Sequence, residues 1–248
     1  MLLSYADRCC HQNAMYKPDA ESEPVKTKEL GGWAEYALGL ETQVGLMPSN
    51  ICLREAGSLP KVALTSYKAL VWHCDAPWGG EGAAHCAPIV VILGGSSGCG
   101  TCAIQMARAW GASEVITTCS AKNAEYCSDT LGATRVIDYT TEDWADVLGA
   151  ASADVVYDCI GEAGCADKAM AVLRPGGRFV SIMGQKPSEE AARDDVQCAT
   201  FINSVSSTLS QPCVCTVAVS LTLQAPPSGH EPRQSGAAGC TQGDGRSG

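Results

Sequence analysis

The chain has 248 residues, 46% of them hydrophobic and 18% charged, the composition of a globular protein able to bury a sizeable core. Its 17 Lys and Arg stand against 27 Asp and Glu, a net charge of −10 that argues against a nucleic-acid partner, because phosphate backbones are held by basic surfaces. No apolar run approaches a membrane span, and the opening MLLSYADRCCHQ lacks the charged start and long apolar stretch of a secretory signal, so an intracellular protein is expected, cytoplasmic or mitochondrial. Its 15 cysteines, an odd number scattered along a long chain, read as reduced and mostly buried rather than as a disulfide framework.

Residues 1–28 show no usable period and read as irregular. From Gly31, GGWAEYALGLETQVGLMPSN alternates as β-hairpin material up to a Pro-Ser-Asn turn, and LREAGSLPKVALTSYKALVW follows as a helix-like stretch. After the glycine-rich connector WGGEGAAHCAP, strands and helices alternate at the lengths of a doubly wound sheet. VVIL precedes TCAIQMARAWG, EVITTC precedes KNAEYCSDTLG, RVIDY precedes TEDWADVLG, DVVYDCI precedes ADKAMAVL, and GRFVSI closes the series. The expected class is α/β with an open parallel Rossmann-type sheet, the glycine loop after the first strand favouring an open sheet over a barrel. Past Gly184, SEEAARDDVQ is a candidate helix and residues 213–223 a candidate strand, whereas from Ala225 the composition reads as disorder.

The segment IVVILGGSSGCGTCA at 89–103 carries the chemistry. A buried strand runs into a glycine-rich turn and then a helix. Small residues there let a pyrophosphate approach the backbone, and the helix N-terminus offers unpaired N–H groups and partial positive charge. In such units an acid at the tip of the second strand binds the ribose hydroxyls of NAD. Here EVITTC ends instead on Ser120, Ala121 and Lys122. A hydroxyl and an ammonium suit a 2′-phosphate, each charge-assisted bond contributing roughly 1.5–3 kcal/mol, so NADPH is the expected cofactor. The other reading makes Ser120 the cap of the next helix and Lys122 a solvated charge.

With the glycine loop, Ser120, Lys122 and the Ile-Asp-Tyr triplet at 137–139, the chain resembles the zinc-independent quinone-oxidoreductase-like branch of the medium-chain dehydrogenases and reductases. GGWAEY at 31–36, LTSYKAL at 64–70, GGSSGCGTCAIQMA at 94–107, VIDYT at 136–140, DVVYDCIG at 154–161 and LRPGGRFVSIMG at 173–184 follow that family's order. The reticulon-interacting mitochondrial oxidoreductases belong to the same branch. The resemblance implies that the Gly98 and Cys99 N–H groups face the pyrophosphate, with Gly95 and Gly100 permitting the turn and Ser96 in the same cofactor-binding set. It implies Ser120 and Lys122 at the 2′-phosphate, Tyr139 on the adenosine side, Thr65 near the nicotinamide and Ile160 bordering the nicotinamide ribose. For Thr65 and Tyr139 the plainer readings are a helix-start hydroxyl and a half-buried strand aromatic.

The resemblance further divides the chain into an irregular stretch at 1–28, a partial GroES-like β segment at 29–64, an NADP-binding Rossmann domain at 65–184 and a divergent, largely disordered tail at 185–248. The substrate half looks amputated at both ends. The implied activity is hydride transfer from NADPH to a quinone or an α,β-unsaturated carbonyl, the small-molecule substrate. The alternative is an impaired NADPH-binding fragment or scaffold lacking a complete substrate domain. A homodimer through the edge of the sheet is a further implication. No residue identifies the proton donor, Tyr36 and Tyr67 being better read as structural. Cys99 and Cys102 form a C-x-x-C that reads as an accident of the phosphate turn, and His11, His73, His85 and His230 have no metal-ligand spacing, so no metal is expected.

Overall fold

A computed structural model describes residues 2–4, 44–47, 50–78 and 87–201. Near the N-terminus, β1 (Leu2–Ser4) pairs antiparallel with β2 (Val44–Leu46). The stretch read as irregular therefore contains a strand. The alternating residues 31–43, Tyr36 among them, lie outside the described residues.

Helix α1 (Leu53–Tyr67) starts where Glu55 reaches back to accept a 2.8 Å bond from the Cys52 N–H, and it continues into a π-helical turn at Lys68–Trp72. Residue 64 and residue 65 share this one helix. Ala56, Ala63, Thr65 and Ser66 form its buried side.

The remaining elements are β3 (Ile89–Leu93), α2 (Gly98–Ala109), β4 (Glu114–Cys119), β5 (Arg135–Asp138), α3 (Trp144–Leu148), β6 (Ala153–Asp158), α4 (Cys165–Val172), β7 (Leu173–Ser181) and β8 (Gln197–Thr200). They build a six-stranded sheet in the order β5-β4-β3-β6-β7-β8. Every pairing is parallel. The order reverses between β3 and β6, which in an open sheet opens a crevice at the carboxyl ends of the strands.

The strands read as near-continuous apolar runs because both faces are covered. Val90 and Ile92 of β3 join Leu70, Ile104, Met106, Val115 and Tyr157 in one core under α1 and α2. Val91 and Leu93 point the other way and join Ile116, Ile137, Trp144, Met170 and Phe179 under α3 and α4. The period-2 alternation of a strand thus feeds two cores at once.

Two expectations are corrected. Residues 122–132 do not form an α-helix: a 3-10 turn at Ala121–Asn123 is followed by a π-helical turn at Tyr126–Thr130, which sets Cys127 fully inside the core. SEEAARDDVQ is likewise not a helix. Arg193 Nη1 donates 2.7 Å bonds to the carbonyl oxygens of Met170 and Leu173, and the Gly176 N–H donates to the Asp195 carbonyl at 2.7 Å, pinning the segment across the end of α4. From there the chain enters β8, which covers the edge of β7 with Phe179 opposite Cys198. Residues 213–223, read as a candidate strand, lie outside the described residues. Among the described residues no helix is long and apolar enough to cross a membrane.

Phe179 is fully buried on β7. Phe179→Ala is expected to cost about 3–5 kcal/mol, read as a lower urea midpoint at unchanged slope. A loss below about 1 kcal/mol would contradict its place in the core.

Candidate functional site

The strand-to-helix reversal is built by backbone contacts that leave no room for side chains. Gly94 has φ +85°, in the left-handed region that favours glycine. A Cβ on Gly100 would lie 2.8 Å from Gly95 Cα and closer still to the Gly94 carbonyl oxygen. The turn is then tied to the neighbouring strand: Gly94 N–H donates to Thr118 Oγ1 and Gly95 N–H to the Thr118 carbonyl, both at 2.9 Å. Ser97 caps α2, its Oγ accepting from the Gly100 N–H at 3.0 Å. Gly98 and Cys99 follow as the first helical residues, where N–H groups have no intrahelical acceptor. Gly98 is exposed and Cys99 half-buried.

Above the turn lies a cleft of ≈ 380 Å³ lined by Leu93, Gly94, Ser96, Ser97, Thr118, Cys119, Tyr139, Trp144, Asp158, Ile160 and Glu162. Three of the expected site residues, Ser96, Tyr139 and Ile160, meet there. Tyr139 is 60% and Ile160 52% exposed, large apolar surfaces that line the cleft without being covered. Ile160 lies over Gly94, where an added Cβ would strike its side chain.

Ser120 and Lys122 sit just past the tip of β4 and are joined to the loop by a 3.2 Å bond from Asn123 Nδ2 to Ser96 Oγ. Ser120 begins the 3-10 turn through its carbonyl, which accepts from the Asn123 N–H at 2.9 Å, while its hydroxyl makes no capping bond. The hydroxyl is thus available to a ligand. Lys122 is exposed.

Thr65 stands apart. It is buried in the last turn of α1, not at a helix start, and its hydroxyl donates to the Lys61 carbonyl at 2.8 Å. It does not line the cleft. Tyr67 packs edge-on against Trp110, with centroids 5.8 Å apart, in keeping with a structural role. Burial pushes the Cys99 thiol up and the Cys102 thiol up to about 11, so both stay protonated near neutrality and are poor nucleophiles. Among the described residues no three His, Cys, Asp or Glu side chains converge to hold a metal ion.

Three features in or beside the cleft escaped the sequence. Asp138, at the tip of β5, accepts from the Thr140 N–H at 3.0 Å and the Thr140 hydroxyl at 2.8 Å. Those two bonds, with a further one from the Ala121 N–H, hold its carboxyl below the usual range. Asp158, at the tip of β6, is fully buried and accepts from Ser181 Oγ, Ile160 N and Gly161 N at 2.7, 2.9 and 2.8 Å. Trp144 lines the cleft with a buried indole N–H that has no partner among the described residues. The apolar period of its short helix disclosed nothing about that N–H.

Residues 98–210 match the family model of the zinc-binding dehydrogenases, so the likeness runs past Gly184, where the sequence motifs stopped. The chain is similar to the chloroplastic NADPH-dependent alkenal/one oxidoreductase of Arabidopsis thaliana, 34% identical over 158 residues, covering 63% of this chain and 37% of that protein. It is similar to the mitochondrial NAD(P)H oxidoreductase RTN4IP1 of Danio rerio, 39% identical over 158 residues, covering 62% of this chain and 38% of that protein. The solved quinone oxidoreductase from Coxiella burnetii has the same architecture, with a TM-score of 0.56 at 25% identity over 69% of this chain and 51% of that one. The chain thus spans less than two fifths of either curated relative and about half of the solved one.

Gly100→Ala forces a methyl group into backbone that cannot yield, and is expected to cost about 3 kcal/mol and to lower Tm by roughly 6–12 °C. Gly57→Ala is the control, since nothing lies within 4 Å of a Cβ there, and it should be neutral or slightly stabilising. Equal melting temperatures for the two variants would contradict the close approach.

Proposed function

We propose that this chain is a member of the medium-chain dehydrogenase and reductase family, that it binds NADPH and that it reduces a quinone or an α,β-unsaturated carbonyl. The observation that carries this reading is the pairing of a glycine turn closed to any Cβ with a strand tip bearing an uncommitted hydroxyl and an ammonium. The N–H groups of Gly98 and Cys99 take the pyrophosphate. Ser120 and Lys122 take the 2′-phosphate, and the Asp138 carboxylate at the tip of the neighbouring strand is engaged by the Thr140 N–H and hydroxyl. Tyr139 covers the adenosine side and Ile160 borders the nicotinamide ribose.

NADPH supplies a hydride from the nicotinamide to an electron-poor carbon of the acceptor. What the protein adds is proximity and exclusion of water. Ile160 and Leu93 give the cleft an apolar wall, and Gly94 lets that wall come close. The relatives named above, an alkenal/one oxidoreductase and a quinone oxidoreductase, support these two acceptor classes. The cofactor domain is proposed to run from α1 through β8, and a second copy of the chain to pair along the sheet edge that β8 forms.

Fluorescence titration of the purified chain with NADPH and NADH is expected to show tighter NADPH binding, and NADPH oxidation is expected with a quinone or an enone. Binding without turnover on either acceptor would overturn the enzymatic reading. Lys122→Glu is expected to cut the preference for NADPH over NADH by roughly tenfold or more. An unchanged preference would remove Lys122 from the site.

A further inference from the structure

The buried acid at the tip of β6 stands out because it is charged, enclosed and without a cation. Asp158 is 0% exposed and forms part of the cleft floor. Its two oxygens accept from the Ser181 hydroxyl at 2.7 Å and from the Ile160 and Gly161 N–H groups at 2.9 and 2.8 Å. Ser181 Oγ in turn accepts from the Met183 and Gln185 N–H groups at 3.1 and 3.2 Å. A hydroxyl has one proton to give and two lone pairs, so Ser181 is saturated and offers no acceptor to a proton on Asp158. Cys165 faces the same carboxylate: burial, with the negative charge of Asp158 and a hydrogen bond to it, pushes that thiol up to about 12. Asp158 is therefore surrounded by neutral donors.

Among the described residues no Lys, Arg or His forms an ion pair with it. Glu162, the other acid lining this part of the cleft, is paired with Lys168 at 3.6 Å, which also holds Asp143 at 2.7 Å. A charge solvated only by fixed dipoles, away from water, is screened little by salt and projects its field into the adjoining space.

The position matters. In a doubly wound sheet the strands on one side of the reversal hold the adenosine half of a dinucleotide, and those on the other side hold the nicotinamide half. β4 and its tip lie on the first side, and β6 lies on the second. We propose that the Asp158 carboxylate is a positioning residue that selectively stabilises the oxidised, cationic nicotinamide ring over the reduced, neutral one. This rests on the NADPH reading above and deepens it. The adenosine, pyrophosphate and 2′-phosphate are identical in the two redox forms, so a fixed charge at this end of the cleft acts on their difference alone. Favouring the oxidised form makes the bound cofactor a stronger hydride donor.

The test is the ratio of the NADP⁺ and NADPH dissociation constants, measured by titrating the full chain and its variants. Asp158→Asn is expected to weaken NADP⁺ about tenfold more than NADPH. The amide would direct N–H groups at the saturated Ser181, so Asp158→Ser, which removes the same charge with a smaller side chain, serves if the Asn variant does not fold. Ser181→Ala breaks the same network but keeps the charge, and should weaken both forms together with the ratio held within about twofold of the parent. Equal weakening of the two forms in Asp158→Asn or Asp158→Ser would overturn the proposal and leave Asp158 a purely structural residue. A ratio that rises in Ser181→Ala as far as in the Asp158 variants would also overturn it. Failure of the parent chain to bind either form would overturn the NADPH reading itself, a result separate from equal weakening.

Discussion

Everything at the open end of the sheet depends on the close approach of two backbone segments, Gly94–Gly95 and Gly100. Because no Cβ stands between them, the chain leaves β3 and enters α2 within a few residues, with Ser97 already capping the helix. The same tightness brings the Gly94 and Gly95 N–H groups within reach of Thr118, which locks the turn to β4. The tip of β4 carries Ser120 and Lys122, so the loop and the strand tip are held in one frame. On the other side Ile160 rests on Gly94, and on a third Ser66 of α1 donates to the Cys99 carbonyl at 2.8 Å. A single added methyl group would disturb all of these at once.

Charge is placed sparingly around this frame. The chain is strongly acidic overall, yet Lys122 stands exposed by the strand tip, while the Asp138 carboxylate accepts from the Thr140 N–H and hydroxyl. At the opposite end Asp158 is enclosed by neutral donors. The cleft therefore offers donors where phosphate groups are expected and a buried acceptor charge where the nicotinamide is expected. That division follows from topology, because the reversal between β3 and β6 assigns the two strand tips to opposite halves of the crevice.

Much of this was legible in the sequence because the signals are local. EVITTC and the apolar core of β3 are strands by composition alone, and residues 94–100 are a turn because of their glycines. What was not legible depended on partners far along the chain. Ser181 is 23 residues from Asp158, and no period connects a strand-end serine with a strand-end acid. β8 escaped notice because its four residues, Gln197–Thr200, are half exposed at an edge and lack the apolar run of a central strand. The helix expected over 122–132 is present but not as a regular α-helix, its apolar spacing serving a π-helical turn that drops Cys127 into the core. Thr65 has the residue type that the family motif calls for, but its hydroxyl is bonded within α1.

The central claim is that NADPH lies across the residues 94–100 turn and the tip of β4. Amide chemical-shift mapping of the labelled full chain during NADPH titration tests this most directly. The largest saturable shifts are expected at the Gly95, Gly98, Cys99 and Ala121 amides, with smaller ones at Ile160 and Gly161. Saturable shifts confined to other parts of the sheet, or none at all at millimolar NADPH, would contradict it.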